Sequence, residues 1–187
     1  MAVPVSVNWL SSAIAMAFLA WPAAAAGPDP RLREELLKMH DAHQEARNPY
    51  DAQRIAATEE RNLALLKDIV ARHGWPTLSM VGQEAASAAW LLVHQSQRDP
   101  QFQLKVAKLM EPLVARKEVN PQIYAYLHDR THKPQRYGTQ GSCLAPGVWQ
   151  PREMEDPPRV DERRAKLQLT PVKLREYALQ VGAQSCK

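Results

Sequence analysis

Asp129 and Arg130 stand at the end of a helical stretch, and Gln135, Tyr137, Thr139 and Gln140 follow in the loop behind them. A carboxylate, a guanidinium fork and two amides so close in sequence could hold a polar ligand, with Asp129 as a general base. The same residue types have a second use. A long irregular loop has backbone donors and acceptors to satisfy, and buried Gln, Asp and Arg side chains commonly satisfy them. Loops are also where sites are carried, so both uses stand at this stage.

His128 and His132 have the i and i+4 spacing of zinc-dependent hydrolases, with Asp129 where a glutamate usually stands. Aspartate is one methylene shorter, the helix is about to end at Pro134, and no third ligand is indicated. The expectation is therefore no metal and no cofactor. His94 and Gln95 lie near the C-terminal end of an apolar helix, where a polar side chain either completes a buried network or faces a cleft. His40 and His43 fall on a polar helix face and are expected to be solvated. Glu84 compensates a helix N-terminus or pairs with Arg130. Trp75, Trp90 and Trp149 stand apart from basic residues and read as packing anchors rather than a stacking platform. No serine sits in a nucleophile elbow and no Gly-rich phosphate loop occurs, so the familiar enzyme signatures are absent.

The elements that must position these groups are helical. Asp29 and Pro30 cap a first helix through Arg47, with Leu32, Leu36, Leu37 and Met39 on its apolar stripe. Asp51 to His73 repeats the pattern through Ile55, Leu63, Leu66, Ile69 and Val70, and Gly74 closes it. Gln83 to Gln97 is the most apolar stretch after the N-terminal segment, and its alanines suit a central helix with close neighbours. Asp99 with Pro100 starts the next helix, in which Pro112 should introduce a kink, and Asn120 with Pro121 starts a shorter one to about Thr131. From Lys133 to Pro158 the helical period gives way to Pro, Gly and Gln. That segment reads as an ordered loop with a small hairpin pairing Arg136–Thr139 with Val148–Gln150. Helical signal resumes at Val160 to Leu167, and Thr170 with Pro171 starts a last helix through Val181.

Residues Met1 to Pro28 carry no charged side chain, and Leu10 to Trp21 is an apolar run followed by the small residues Ala23 to Ala26. This pattern predicts a signal peptide over residues 1–26, cleaved by an A-x-A rule, and one helical domain over residues 27–187. The alternative is an uncleaved anchor, because the segment lacks the usual Lys or Arg. No second span follows, so no membrane crossing is expected once the segment is removed. In an oxidising compartment Cys143 and Cys186, the only cysteines, form a disulfide. It would close a loop of about 44 residues and stabilise the fold by roughly 3 to 4 kcal/mol. Residues 27–98 hold 9 basic and 10 acidic side chains while residues 99–187 hold 15 and 10, so the net charge of +4 comes from the C-terminal half. For an exported, periplasmic or secreted chain this excludes nucleic acid as the expected partner and leaves an envelope protein or an anionic polymer.

The strings GWPTLSMVG, AAWLLVHQSQRDPQFQ, YAYLHDR, PQRYGTQ and VDERRAKLQLTPVKLREY together resemble a bacterial family known as domain of unknown function 6624, from about Leu63 to Tyr177. Members of that family often carry Gln then His where this chain has His94 then Gln95. The resemblance implies a fold and no activity. The expectation is thus an all-α fold of about six helices with a Pro/Gly-rich loop or hairpin near 134–150. Its expected role is a binding or interaction module that uses the polar loop at 129–140. The alternative is a cell-envelope hydrolase or transferase using Asp129 with His94 or His128.

Overall fold

The computed structural model describes residues 28–187; the expected signal peptide lies outside the described residues. Helix α1 spans Pro30–Arg47, α2 Ala52–His73, α3 Leu78–Gln95, α4 Pro100–Ala115 and α5 Pro121–Thr131. Strands β1 (Gly141–Ala145) and β2 (Val148–Pro151), a short 3₁₀ turn at Pro157–Arg159, and helices α6 (Val160–Lys166) and α7 (Leu174–Ser185) complete it. The fold is mostly helical, as expected, with seven α-helices among the described residues.

The caps at Asp29, Asp99 and Asn120 act as the sequence indicated, and Asp51, expected as the first helical residue, is a cap as well. The carboxylate of Asp29 accepts from the Arg31 and Leu32 amides, Asp51 from Gln53 and Arg54, and Asp99 from Phe102. Asn120 accepts from Gln122, and Gly74 closes α2 at positive φ. Helix α3 begins one turn earlier than expected, because Thr77 caps a first turn before Gly82 breaks the helix at φ 77°. Only glycine adopts that conformation without strain, so Gly82 separates the first turn from the long apolar segment.

The core joins α1 to α5. Leu36, Leu66, Ile69, Val81, Val93, Val106, Met110 and Leu127 are fully buried in one cluster. Ala85 and Ala89 let α3 approach α1 closely, which is the use expected of its alanines. Trp75 is buried in that cluster, Trp90 meets Tyr126 edge-on with centroids 5.6 Å apart, and Trp149 meets Tyr177 likewise at 5.7 Å. The tryptophans are packing anchors.

Two boundaries near the loop differ from expectation. The hairpin pairs Gly141 with Pro151 and Cys143 with Trp149, rather than pairing Arg136–Thr139 with Val148–Gln150. The amides of Arg136, Tyr137 and Thr139 are already donated to the Asp129 carboxylate and cannot also form a ladder. Helix α7 starts at Leu174 rather than Thr170, because the Pro171 and Val172 carbonyls accept from the Arg164 guanidinium. His43 is a further correction. It is 1% exposed, not solvated, while His40 is half-buried and bonds Gln44. Counting a helix face as polar missed that α2 and α3 close over α1 at that position.

A disulfide joins Cys143 in β1 to Cys186 at the end of α7, and the Gly147 amide donates to the Cys186 carbonyl at 2.8 Å. Among the described residues, no helix is long and apolar enough to cross a membrane. Replacing both cysteines by serine should lower the free energy of urea unfolding by about 3 kcal/mol, from the entropy of reopening the loop. A difference below about 1 kcal/mol would show that the contacts of α7 with the hairpin suffice alone.

Candidate functional site

Asp129 lies in the last turn of α5 with its side chain turned into the following loop, where it is 3% exposed. Four donors surround its carboxylate. Oδ1 accepts from the Arg136 amide at 2.8 Å and the Tyr137 amide at 3.0 Å, and Oδ2 accepts from the Thr139 amide at 2.8 Å and the Thr139 hydroxyl at 2.9 Å. His128 Nδ1 lies 3.5 Å from Oδ1. Burial pushes the carboxyl pKa up, but the bonds from His128 and from the Thr139, Tyr137 and Arg136 amides outweigh it. The net position is below the ordinary aspartate value. A carboxylate so held is a weak proton acceptor, so the geometry favours bracing over base catalysis.

Gln135 completes the brace. It is 2% exposed; its amide nitrogen donates to the Gln140 and Arg152 carbonyls at 2.8 and 2.9 Å, and its oxygen accepts from the Gln140 amide at 2.8 Å. Its backbone pairs with the segment at Met154. Gly138, at φ 72°, lets the loop turn beneath Leu174, whose Cδ1 would sit 2.6 Å from an added Cβ.

Arg164, which the sequence reading did not single out, clamps the far side. It is wholly buried, donating to the carbonyls of Tyr137 at 2.8 Å, Val172 at 2.9 Å and Pro171 at 2.6 Å, and its guanidinium lies 4.8 Å from the Tyr177 ring. Burial pulls its pKa below the usual arginine value, with Tyr177 and acidic neighbours opposing. Three carbonyls and an aromatic face offset the cost of burying a cation without a carboxylate contact. Nothing in the VDERRAK string distinguished Arg164 from Arg163, since both sit in a charge-rich helix.

Of the remaining expected site residues, Tyr137, Thr139 and Gln140 stay in the Asp129 cluster, while Arg130, Glu84 and His94 pair elsewhere. Tyr137 is buried with its ring edge-on to Tyr124 and His128, Thr139 bonds Asp129, and the Gln140 side-chain amide makes long contacts to the Tyr126 carbonyl and Thr139 hydroxyl. Arg130 donates to Gln103 at 3.4 Å, and Glu84 pairs with Arg33 at 2.6 Å rather than with Arg130. His94 sits 3.4 Å from the Tyr126 hydroxyl, and burial together with Arg130 holds its pKa below the usual histidine value. His128 and His132 stack face to face, centroids 4.2 Å apart, with His132 Nδ1 donating to the His128 carbonyl at 2.9 Å. Among the described residues no group of three His, Cys, Asp or Glu could hold a metal ion.

Around the braced loop lie two neighbouring clefts. One, of about 550 Å³, is lined by Lys108, Glu111, His128, Lys133, Arg136 and Glu155, among others. The other, of about 710 Å³, shares Glu111 and Tyr124 with it and adds Lys117 and Lys166. Five basic side chains thus face two acidic ones. Part of the C-terminal basic surplus collects here.

Fold and site together define a mostly helical, disulfide-tied protein with an open basic cleft beside an internally braced loop. A family model described as a family of unknown function (DUF6624) matches residues 30–183, and the chain belongs to that family. No curated protein and no solved structure matches the chain.

Asp129→Asn should cost about 3 kcal/mol at neutral pH, since one amide oxygen replaces two carboxylate oxygens before four donors. Because the folded carboxyl lies below its ordinary value, this stabilisation is fully present above about pH 4 and is lost as pH falls through the folded pKa. The gap between wild type and variant in urea unfolding should therefore be constant from pH 5 upward and narrow below pH 4. Arg164→Lys should cost about 2 to 4 kcal/mol by the same measurement, because one ammonium cannot span three carbonyls on the guanidinium fork.

Proposed function

We propose that this chain is an exported binding module, acting in the periplasm or after secretion, that recognises an anionic polymer of the cell envelope. One observation carries the reading: the basic majority of the cleft beside residues 129–140, where Arg136 and Lys133 are exposed on a loop held from within by Asp129. Fixing the loop from inside places its outer side chains before a ligand arrives, which lowers the ordering cost of binding. The polar residues of the motif support recognition indirectly. They hold the rim, and the rim makes contact.

Export is supported by the disulfide and by the uncharged N-terminal segment with its small-residue cleavage pattern. The hydrolase or transferase alternative has less support, because Asp129 is occupied by four donors, no hydrogen bond joins it to His94 among the described residues, and its contact with His128 is long, at 3.5 Å.

Polyphosphate, titrated into the oxidised protein and followed by calorimetry, should bind with an affinity that falls as salt rises. Arg136→Glu and Lys133→Glu together should weaken it at least tenfold without changing thermal stability, and neutral dextran should not bind. Binding by neither polymer at low ionic strength, or binding indifferent to the double variant, would remove this reading.

A further inference from the structure

A third cleft, of about 620 Å³, lies between α1, α2 and the end of α3. His43, Arg47, Glu59, Leu91, Gln95 and Arg98 are among the residues that line it. Both ring nitrogens of His43 and the Oε1 of Gln95 are buried there without a hydrogen-bond partner among the described residues. They are the three such side-chain atoms found there. Elsewhere the protein satisfies its buried polar groups carefully: Asn62 donates to the Met39 carbonyl, Gln103 to the Val93 carbonyl, and Asp129, Gln135 and Arg164 are bonded as described above. Buried polar groups without partners are costly, and the rare exceptions mark places built for something else.

We propose that this cleft is a binding site for a small hydroxy-carboxylate of the sugar-acid type, read by His43 and Gln95 and clamped by Arg47 and Arg98. The donor and acceptor inventory sets the class. Burial pushes the His43 imidazole below the usual histidine range, with Glu59 opposing and Arg47 and His40 adding to the shift, so at neutral pH it offers one N–H and one lone pair. Gln95 Oε1 only accepts. A hydroxyl group both donates and accepts, and two neighbouring hydroxyls supply the two O–H donors that the His43 lone pair and Gln95 Oε1 need, with an acceptor for the His43 N–H. Arg47 and Arg98 are exposed at the mouth, and guanidinium groups only donate, which suits a carboxylate taken in a forked pair. Glu59 repels a second anionic group, which restricts the ligand to one carboxylate. Leu91 gives the C–H face of a sugar-like ring an apolar wall. None of these residues lines the basic cleft of the proposed function, and neither site depends on the other.

The probe is D-glucuronate, with D-glucose as its neutral counterpart, titrated into the oxidised protein while the imidazole ¹⁵N resonances are followed by NMR. The expected result is a saturable change in the His43 resonances with glucuronate and none with glucose. Arg98→Ala, at an exposed position, should leave thermal stability unchanged and weaken glucuronate at least tenfold. His43→Phe, which keeps a ring and removes both nitrogens, should fold at least as stably as wild type and lose glucuronate binding by calorimetry. The proposal is overturned by an unresponsive His43, or by equal affinity in Arg98→Ala. It is overturned equally if His43→Phe lowers the melting temperature, because the nitrogens would then serve the fold through bound water rather than a ligand.

Discussion

The loop after α5 exists in its observed form because one buried carboxylate gathers its amides. Asp129 takes three backbone N–H groups and one hydroxyl from residues 136 to 139, which would otherwise be buried without acceptors. Arg164 does the complementary work on carbonyls, taking those of Tyr137, Pro171 and Val172. An anion collects donors, a cation collects acceptors, and the segment between them needs little regular secondary structure. The hairpin, the start of α7 and the disulfide all follow from where these two groups leave the chain.

Much of the helical frame was legible in the sequence. Asp29, Asp51, Asp99 and Asn120 announce their helices by side chains that bond amides two or three residues on, a local interaction that sequence spacing can carry. What was not legible is non-local. The hairpin register depends on amides that Asp129 removes from play, seven to ten residues away. The start of α7 depends on a guanidinium seven or eight residues upstream. His43 looked solvated because the residues around it on α1 are polar, whereas its burial comes from other helices. The 129–140 cluster was singled out by residue type, and the contacts of Asp129 favour the bracing use over the catalytic one.

The molecule therefore divides its polar chemistry in two. In the C-terminal half, buried polar groups are saturated and free charge is left at the surface, a combination suited to long-range attraction of an extended anion. In the α1–α2–α3 cleft the pattern reverses, with little net charge and unsaturated groups at depth, which suits discrimination among small molecules by hydrogen bonding. One helical frame can carry both because neither draws on the other's residues.

The partners of Asp129 and Arg164 are nearly all main-chain atoms, and this has a consequence for how such a sequence can drift. Every residue except proline presents the same amide, and every residue the same carbonyl, so the side chains at positions 136, 171 and 172 can vary without disturbing either lock. The reverse does not hold. If Asp129 or Arg164 is lost, no second mutation at the contacted positions can restore what is missing, because the groups left unpaired are not encoded by side chains. Coupled substitutions, the usual trace of two residues in contact, would therefore be faint around the two residues on which this loop most depends.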